Sequence, residues 1–316
     1  MSVKAIAALL LAGLPAAVAL TQSFGDPEDA GVEIAPERQV RFFATSNADI
    51  VANGRSRGRN SGHITSGSID AGITALIPVD ESTDATLSLV QTSTGYDFSS
   101  FGSFGGGRTD PIDYGLKVAL TGTVTHALDQ EWSIFAGAAI NSEGEVGADF
   151  DETLTYGGYV GIAYRVHEDL LLGLALGGFS ELEDDFNFFP VPTLNWQIDD
   201  YWRLVVGRAP TVDQPGAEIT YEINDAWSVG GSISYDFRQF RLEDDNSNVP
   251  GGVLEDASLP LYLIVTWSPK PKLRVSGRIG SVIYREIDLR TQSGDTTGDS
   301  VIDPTFAVGL SLEYAF

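Results

Sequence analysis

Apolar and polar residues alternate along much of the chain. In "YGLKVALTGTV", Tyr114, Leu116, Val118, Leu120 and Val124 stand on one face, and Lys117, Thr121 and Thr123 on the other. "WSVGGSISYDF" sets Trp227, Val229, Ile233, Tyr235 and Phe237 against Ser228, Ser232, Ser234 and Asp236. "LRVSGRIGSVI" sets Leu273, Val275, Ile279 and Ile283 against Arg274, Ser276 and Arg278. Period two predicts strands with one apolar face. The runs last about ten to twelve residues, against about five or six in soluble domains. That length suits a tilted strand crossing a bilayer. No stretch carries a helical period.

The connections between these runs alternate in length. Asp129–Glu131, His167–Asp169, Asp199–Asp200, Asn224–Ala226, Ser268–Lys272 and Val79–Thr83 are short. Between them lie long stretches rich in Gly, Asp, Glu, Asn and Ser: "FSSFGSFGGGRTDP", "NSEGEVGADFD", "SELEDDF", "RQFRLEDDNSNVPGGVLEDA" and "REIDLRTQSGDTTGDSVID". Short periplasmic turns and long external loops are the habit of bacterial outer-membrane barrels. A closed barrel pairs every backbone group within the protein, as a bilayer demands. Strands are predicted near 304–316, 273–284, 258–268, 227–238, 217–224, 201–209, 188–198, 169–179, 153–167, 131–141, 112–126, 84–97, 63–78 and 38–51. The expected fold is therefore all-β, a transmembrane antiparallel barrel of about 14 strands, with 12 or 16 as the alternatives. The run holding Pro190 and Pro192 fits a central strand least, because proline cannot donate to a ladder.

Aromatic placement agrees. Trp132, Trp196, Trp202, Trp227 and Trp267, the five tryptophans, all lie close to short turns. Tryptophan favours the level where lipid meets water, so these predict an aromatic girdle. Phe98, Phe150, Phe186, Phe240 and Tyr284 are expected at the opposite rim. The chain closes on "TFAVGLSLEYAF", alternating through Tyr314 to Phe316. This resembles the C-terminal strand signature of outer-membrane proteins, which implies recognition by the barrel assembly machinery through Tyr314 and Phe316. The phrases "GSIDAGITALIPVDESTDATL" and "PVPTLNWQIDDYWRLVVGRAPTVDQPGAEITYEINDAWSVGGSISY" resemble an uncharacterised, porin-like family of outer-membrane barrels, a domain of unknown function. That resemblance implies the fold and supplies no catalytic residue or substrate.

The N-terminus changes the picture of location. Lys4 precedes an apolar run, and Ala17-Val18-Ala19 offers small residues for cleavage. Residues 1–19 are read as a signal peptide, 20–37 as a periplasmic segment and 38–316 as the barrel, placed in the bacterial outer membrane of a Gram-negative cell with outer-membrane lipid around it. Lys plus Arg is 19 and Asp plus Glu is 44, a net charge of −25. Such acidity excludes nucleic acid as a partner. There is no cysteine, which excludes disulfides and thiolate metal sites.

If the apolar face meets lipid, Lys117, Arg165, Arg203, Glu218, Glu222, Asp236, Arg274, Arg278 and Glu313 point inward and are candidates to line a pore. A barrel of this size is too wide for side chains alone to fill. A passive pore for small hydrophilic solutes or ions is the leading expectation, with a cation bias from acidic loops. The acids cluster at Glu181, Glu183, Asp184 and Asp185, at Glu243, Asp244 and Asp245, and at Asp295, Asp299 and Asp303. They suggest a second possibility, a closed interaction barrel whose loops bind divalent cations. None has the spacing of a known calcium loop. Arg55, Arg57 and Arg59 share one external loop and suit phosphate groups. A lipid-active enzyme is the third possibility and would centre on His63, with Thr65 on the same face. No third member of a catalytic set is identifiable, so no catalytic residue, metal ligand or cofactor is assigned.

Overall fold

The computed structural model describes residues 39–57, 62–99 and 110–316. Residues 1–37, expected to be signal peptide and periplasmic segment, lie outside these, as does Arg59. The strands in chain order are β1 (Arg41–Arg57), β2 (His63–Pro78), β3 (Thr83–Ser99), β4 (Tyr114–Ala127), β5 (Trp132–Glu145), β6 (Leu154–His167), β7 (Leu170–Glu181) and β8 (Asp184–Gln197). They continue as β9 (Trp202–Ala209), β10 (Gln214–Asn224), β11 (Trp227–Ser234), β12 (Asp236–Arg241), β13 (Val253–Lys270), β14 (Leu273–Arg290), β15 (Thr296–Ile302) and β16 (Thr305–Ala315). β11 and β12 are one stave interrupted at Tyr235, since both pair with β13. β15 and β16 likewise share β14. The sixteen segments thus make a closed antiparallel barrel of 14 strands. β16 closes the ring against β1, from Phe43↔Ala315 to Val51↔Ala307.

The outward face is apolar where alternation predicts it. Leu116, Val118, Leu120, Val265, Ile279, Leu310 and Leu312 are all exposed. Their inward neighbours Thr123, Ser232, Ser276 and Arg278 are buried. The tryptophans stand outward near one rim. Trp227 lies 6.1 Å from Trp267 between ring centroids, and Trp132 lies 4.5 Å from Tyr164. Tyr314 meets Phe316 edge-on at 5.2 Å.

The short turns share one device. Asp129 accepts the backbone N–H groups of Glu131 and Trp132 at 2.8 Å each. Asp199 does the same for Tyr201 and Trp202, and Asn224 for Ala226 and Trp227. Asp80 accepts from Ser82. A carboxylate or amide oxygen satisfies the two donors that a tight reversal leaves over. The recurring Asp/Asn-x-x-Trp therefore combines a turn clamp with an aromatic at the strand's first residue.

The other rim departs from the expected long loops. β7 and β8 meet across Leu182 and Glu183, so "SELEDDF" is a tight hairpin. Much of "RQFRLEDDNSNVPGGVLEDA" is strand, with β12 on β13 from Asp236↔Ser258 to Arg241↔Val253. "REIDLRTQSGDTTGDSVID" supplies the end of β14 and all of β15. Phe98 and Phe240 do not join an outer girdle. They are 5% and 1% exposed, inside an apolar cluster. Tyr235 is also buried rather than outward, because the stave breaks there and β12 leaves the wall.

Candidate functional site

The inward charges are paired, most of them across strands. Arg278 donates to Asp49 through Nε at 2.9 Å and Nη2 at 2.5 Å, and to Ser311 at 2.9 Å. Arg238 grips Asp236 at 3.1 and 2.6 Å and reaches Thr94 at 2.9 Å. Arg285 forks onto Asp256 at 2.9 and 2.7 Å, and the Tyr96 hydroxyl donates to the same carboxylate at 3.0 Å. Arg290 meets Glu255 at 2.9 Å, and Lys117 meets Glu143 at 2.6 Å. Bidentate pairing of this kind offsets the desolvation of each ion.

The nine residues expected to face inward fall into two groups. Lys117, Glu218, Asp236 and Arg278 sit deep in the barrel; Glu218 accepts the Thr211 backbone N–H at 2.9 Å and its hydroxyl at 2.8 Å. Arg165, Arg203, Glu222, Arg274 and Glu313 lie toward the short turns. There Arg165 donates to the Glu168 carbonyl at 3.3 Å and Arg203 to Asn195 at 3.0 Å. Arg274 and Glu313 form a loose, half-exposed pair at 3.8 Å. Sequence reasoning missed Asp49, Arg238, Asp256 and Arg285. Asp256 and Arg285 lie in stretches read as loops, and Arg238 stands where the strand predicted over 227–238 meets one; the alternation of Asp236 with Arg238 was the available signal.

Three structures occlude the interior. The tip of the β9–β10 hairpin turns inward: Ala209 and Val212 pack on Tyr262, Ile264, Val282 and Ala307 of β13, β14 and β16. The ion pairs form a belt beside it. A cavity of about 30 Å³ remains among Asp49, Asp236, Arg238, Asp256, Arg278 and Arg285, room for about two waters. Above the belt, the ends of β12–β15 fold over the mouth as a flap. β12 reaches β5 on the opposite side of the barrel, where Arg241 pairs with Gly144. Arg241 also forms an ion pair with Glu183 and donates to the Glu152 carbonyl at 3.2 Å. Phe240, Leu254 and Ile287 of the flap pack on Ile64, Tyr96 and Phe98 of the wall strands β2 and β3 to form an apolar stopper. Phe240 lies over Gly115, where any side chain would strike its ring.

Other candidates are dispersed. His63 begins β2 on the same face as Thr65, and its Nδ1 makes no hydrogen bond. Of the loop acids, Glu183 is engaged by Arg241 and Asp303 by Arg57. Asp295 accepts from Ser293 at 3.1 Å. Among the described residues the one group with metal-ligand spacing is His167, Glu168 and Asp169, at a solvent-facing short turn.

No protein-family model matches the chain, and no curated protein does. Solved outer-membrane barrels are similar in outline. An outer-membrane channel of Pseudomonas putida F1 aligns over 92% of this chain and 100% of its own, at TM-score 0.49 and 8% identity. A Pseudomonas aeruginosa FadL homologue aligns over 88% and 90%, at 0.45 and 13%. The NanC porin aligns over 84% and 98%, at 0.31 and 11%.

Proposed function

We propose that the protein is an outer-membrane channel for small hydrophilic solutes or ions, closed at rest and opened by displacement of the flap and the inturned hairpin tip. The observation that carries this reading is the composition of the interior. A barrel built only to be stable would gain from an apolar core, whereas this one keeps a belt of paired Arg and Asp across its middle. The belt is balanced, three arginines facing three aspartates around the cavity. The acid excess of 44 over 19 lies elsewhere in the chain, and the acidic outer segments favour cations at the mouth. Closure rests on the apolar stopper together with the contacts of Arg241 to Glu183 and the Glu152 carbonyl, none of them covalent.

Single-channel recording of the refolded mature chain in a planar bilayer tests this. Brief, small openings with a cation-selective reversal potential in a salt gradient are expected. A large permanent conductance would refute the closed resting state. Complete silence, both in the folded wild type and after the stopper is weakened, would favour an interaction barrel.

A further inference from the structure

The flap has two faces. Phe240, Leu254, Ile287 and Leu289 belong to the one that packs in the stopper. Side chains alternate across a strand, so Glu255 and Asp288 fall on the other. They stand directly opposite each other in the β13–β14 ladder. Glu255 is 5% exposed and Asp288 4%. Asp288 in turn stands opposite the exposed Asp299 of β15. Like charges in this position destabilise a sheet. Burial sharpens the repulsion, because little water remains to screen it.

The tip of the β7–β8 hairpin, a part of the wall, reaches this second face. Leu182 donates its N–H to Gln239 Oε1 at 3.0 Å, and Gln239 Nε2 donates to Glu255 at 2.8 Å. Glu181 of the same hairpin stands close enough to Glu255 to oppose its ionisation. Closing therefore gathers three carboxylates, Glu181, Glu255 and Asp288, at one contact. Two arginines enter the same face. Arg290 meets Glu255 at 2.9 Å, and Arg241 is held by Glu183 and the Glu152 carbonyl. From β5, Glu143 accepts the Gln239 backbone N–H at 3.5 Å and has its own partner in Lys117 at 2.6 Å. Glu286, also on the second face, accepts from the Tyr284 hydroxyl at 2.7 Å.

Glu255 lies beyond the bilayer. It stands about twelve residues above Trp267, about 30 Å along the axis for strands tilted roughly 40°, and the apolar band of such barrels is about 25 Å tall. Its carboxyl is held above the ordinary glutamate value, first by burial. Arg290 and Gln239 pull it down, and Asp288 and Glu181 push it further up.

We propose that the flap is a pH-sensitive closure, which tightens as the medium at the mouth turns acid, with Glu255 as the sensing group. This rests on the flap being the movable closure proposed above. Lifting the flap off the hairpin returns Glu255 to water and away from Glu181. The closed state thus favours the protonated acid. That contribution to closure is fully present below the ordinary glutamate value and is lost as pH rises through the raised one.

Spin labels read the flap directly. The chain has no cysteine, so labels at Ser293→Cys on the flap and Asp151→Cys in the β5–β6 connection are specific. Their separation is measured by double electron–electron resonance on the mature chain in nanodiscs, from about pH 4 to about pH 8. The long-distance population should rise at least threefold from the acid to the neutral end. Glu255→Gln keeps the acceptor for Gln239 and removes the charge, so it should hold that population at its acid level throughout. Asp288→Asn relieves the facing repulsion and should at least halve the population at the neutral end; it serves as the test if the first variant does not assemble. A wild-type distribution unchanged across the range would overturn the switch, as would a population that falls with rising pH. A full pH response in folded Glu255→Gln would also overturn it. Conductance is recorded separately. A flap that moves with pH in a barrel that never conducts upholds the switch and refutes the channel; a conducting barrel whose flap ignores pH does the reverse.

Discussion

Phe240→Ala should turn a mostly closed channel into a frequently open one. The ring is 1% exposed, lies over Gly115 and meets Tyr96 edge-on at 6.2 Å. Removing a buried phenyl group costs about 3–5 kcal/mol in a packed core. That loss falls on the closed state, because lifting the flap takes the ring off Gly115 in the wild type as well. If about 3 kcal/mol bears on closure, the open-to-closed ratio rises roughly a hundredfold, at 1.4 kcal/mol per tenfold. The wall ladder from β16 round to β8 does not involve Phe240, so the barrel should still assemble. Gly115→Ala attacks the same contact from the other side and should act in the same direction. The assay is open probability in planar bilayers, on protein whose heat-modifiable gel mobility shows a folded barrel. An open probability within threefold of wild type in both folded variants would refute the flap as the closure.

Three further outcomes follow from the same geometry. Arg278→Ala leaves Asp49 without its bidentate partner and should destabilise the barrel by about 3–5 kcal/mol, whereas Arg274→Ala, which loses a half-exposed 3.8 Å pair, should cost no more than about 1 kcal/mol; equal shifts in guanidinium unfolding would contradict the placement of the two arginines. Asp129→Ala strips the acceptor from two turn N–H groups and should cost about 1 kcal/mol, with Asp129→Asn close to neutral; a loss in Asn equal to that in Ala would show that charge, not acceptance, matters. The Asp80 carboxyl is held below the ordinary aspartate value, first by the Ser82 backbone N–H and then by the Thr83 side chain; its contribution to stability is therefore present above the ordinary value and is lost as pH falls through the depressed one, and a carbon-13 titration with a midpoint at or above the ordinary value would refute it.

The barrel was legible because lipid outside and polar groups inside impose period two on every stave that faces both. Tyr114 to Val124 and Leu273 to Ile279 obey it. The short turns were legible for a second reason: an Asp or Asn two and three residues before the N–H groups it accepts is a local arrangement, visible without tertiary knowledge. The flap was not legible. β12 is covered on both sides once it crosses the mouth, so "DFRQFR" loses the apolar–polar contrast on which strand reading depends, and its charges resemble those of a solvated loop. The partners of its Arg241, Glu183 and the Glu152 carbonyl, lie far away in sequence, as Arg278 and Asp49 do from each other, and no local pattern announces them.

The prolines carry the opposite lesson. Pro190 and Pro192 broke the rule for a central strand, yet the strand exists and runs from Asp184 to Gln197. Misassigning the strand was one resolution of the conflict; an unpaired edge was the other. Spacing decides between them. Two prolines at i and i+2 aim both missing donors at the same neighbour, so the ladder on the other side is untouched, and β7 pairs with β8 through both positions. Prolines at i and i+1 would have damaged both ladders and argued against a strand. A Pro-x-Pro within a run that otherwise alternates is therefore positive evidence for a strand with one open edge. In this barrel the β8–β9 ladder accordingly runs only from Leu194↔Val206 to Gln197↔Arg203. The place where local propensity and global fold disagree is the place where the hydrogen-bond ladder is interrupted.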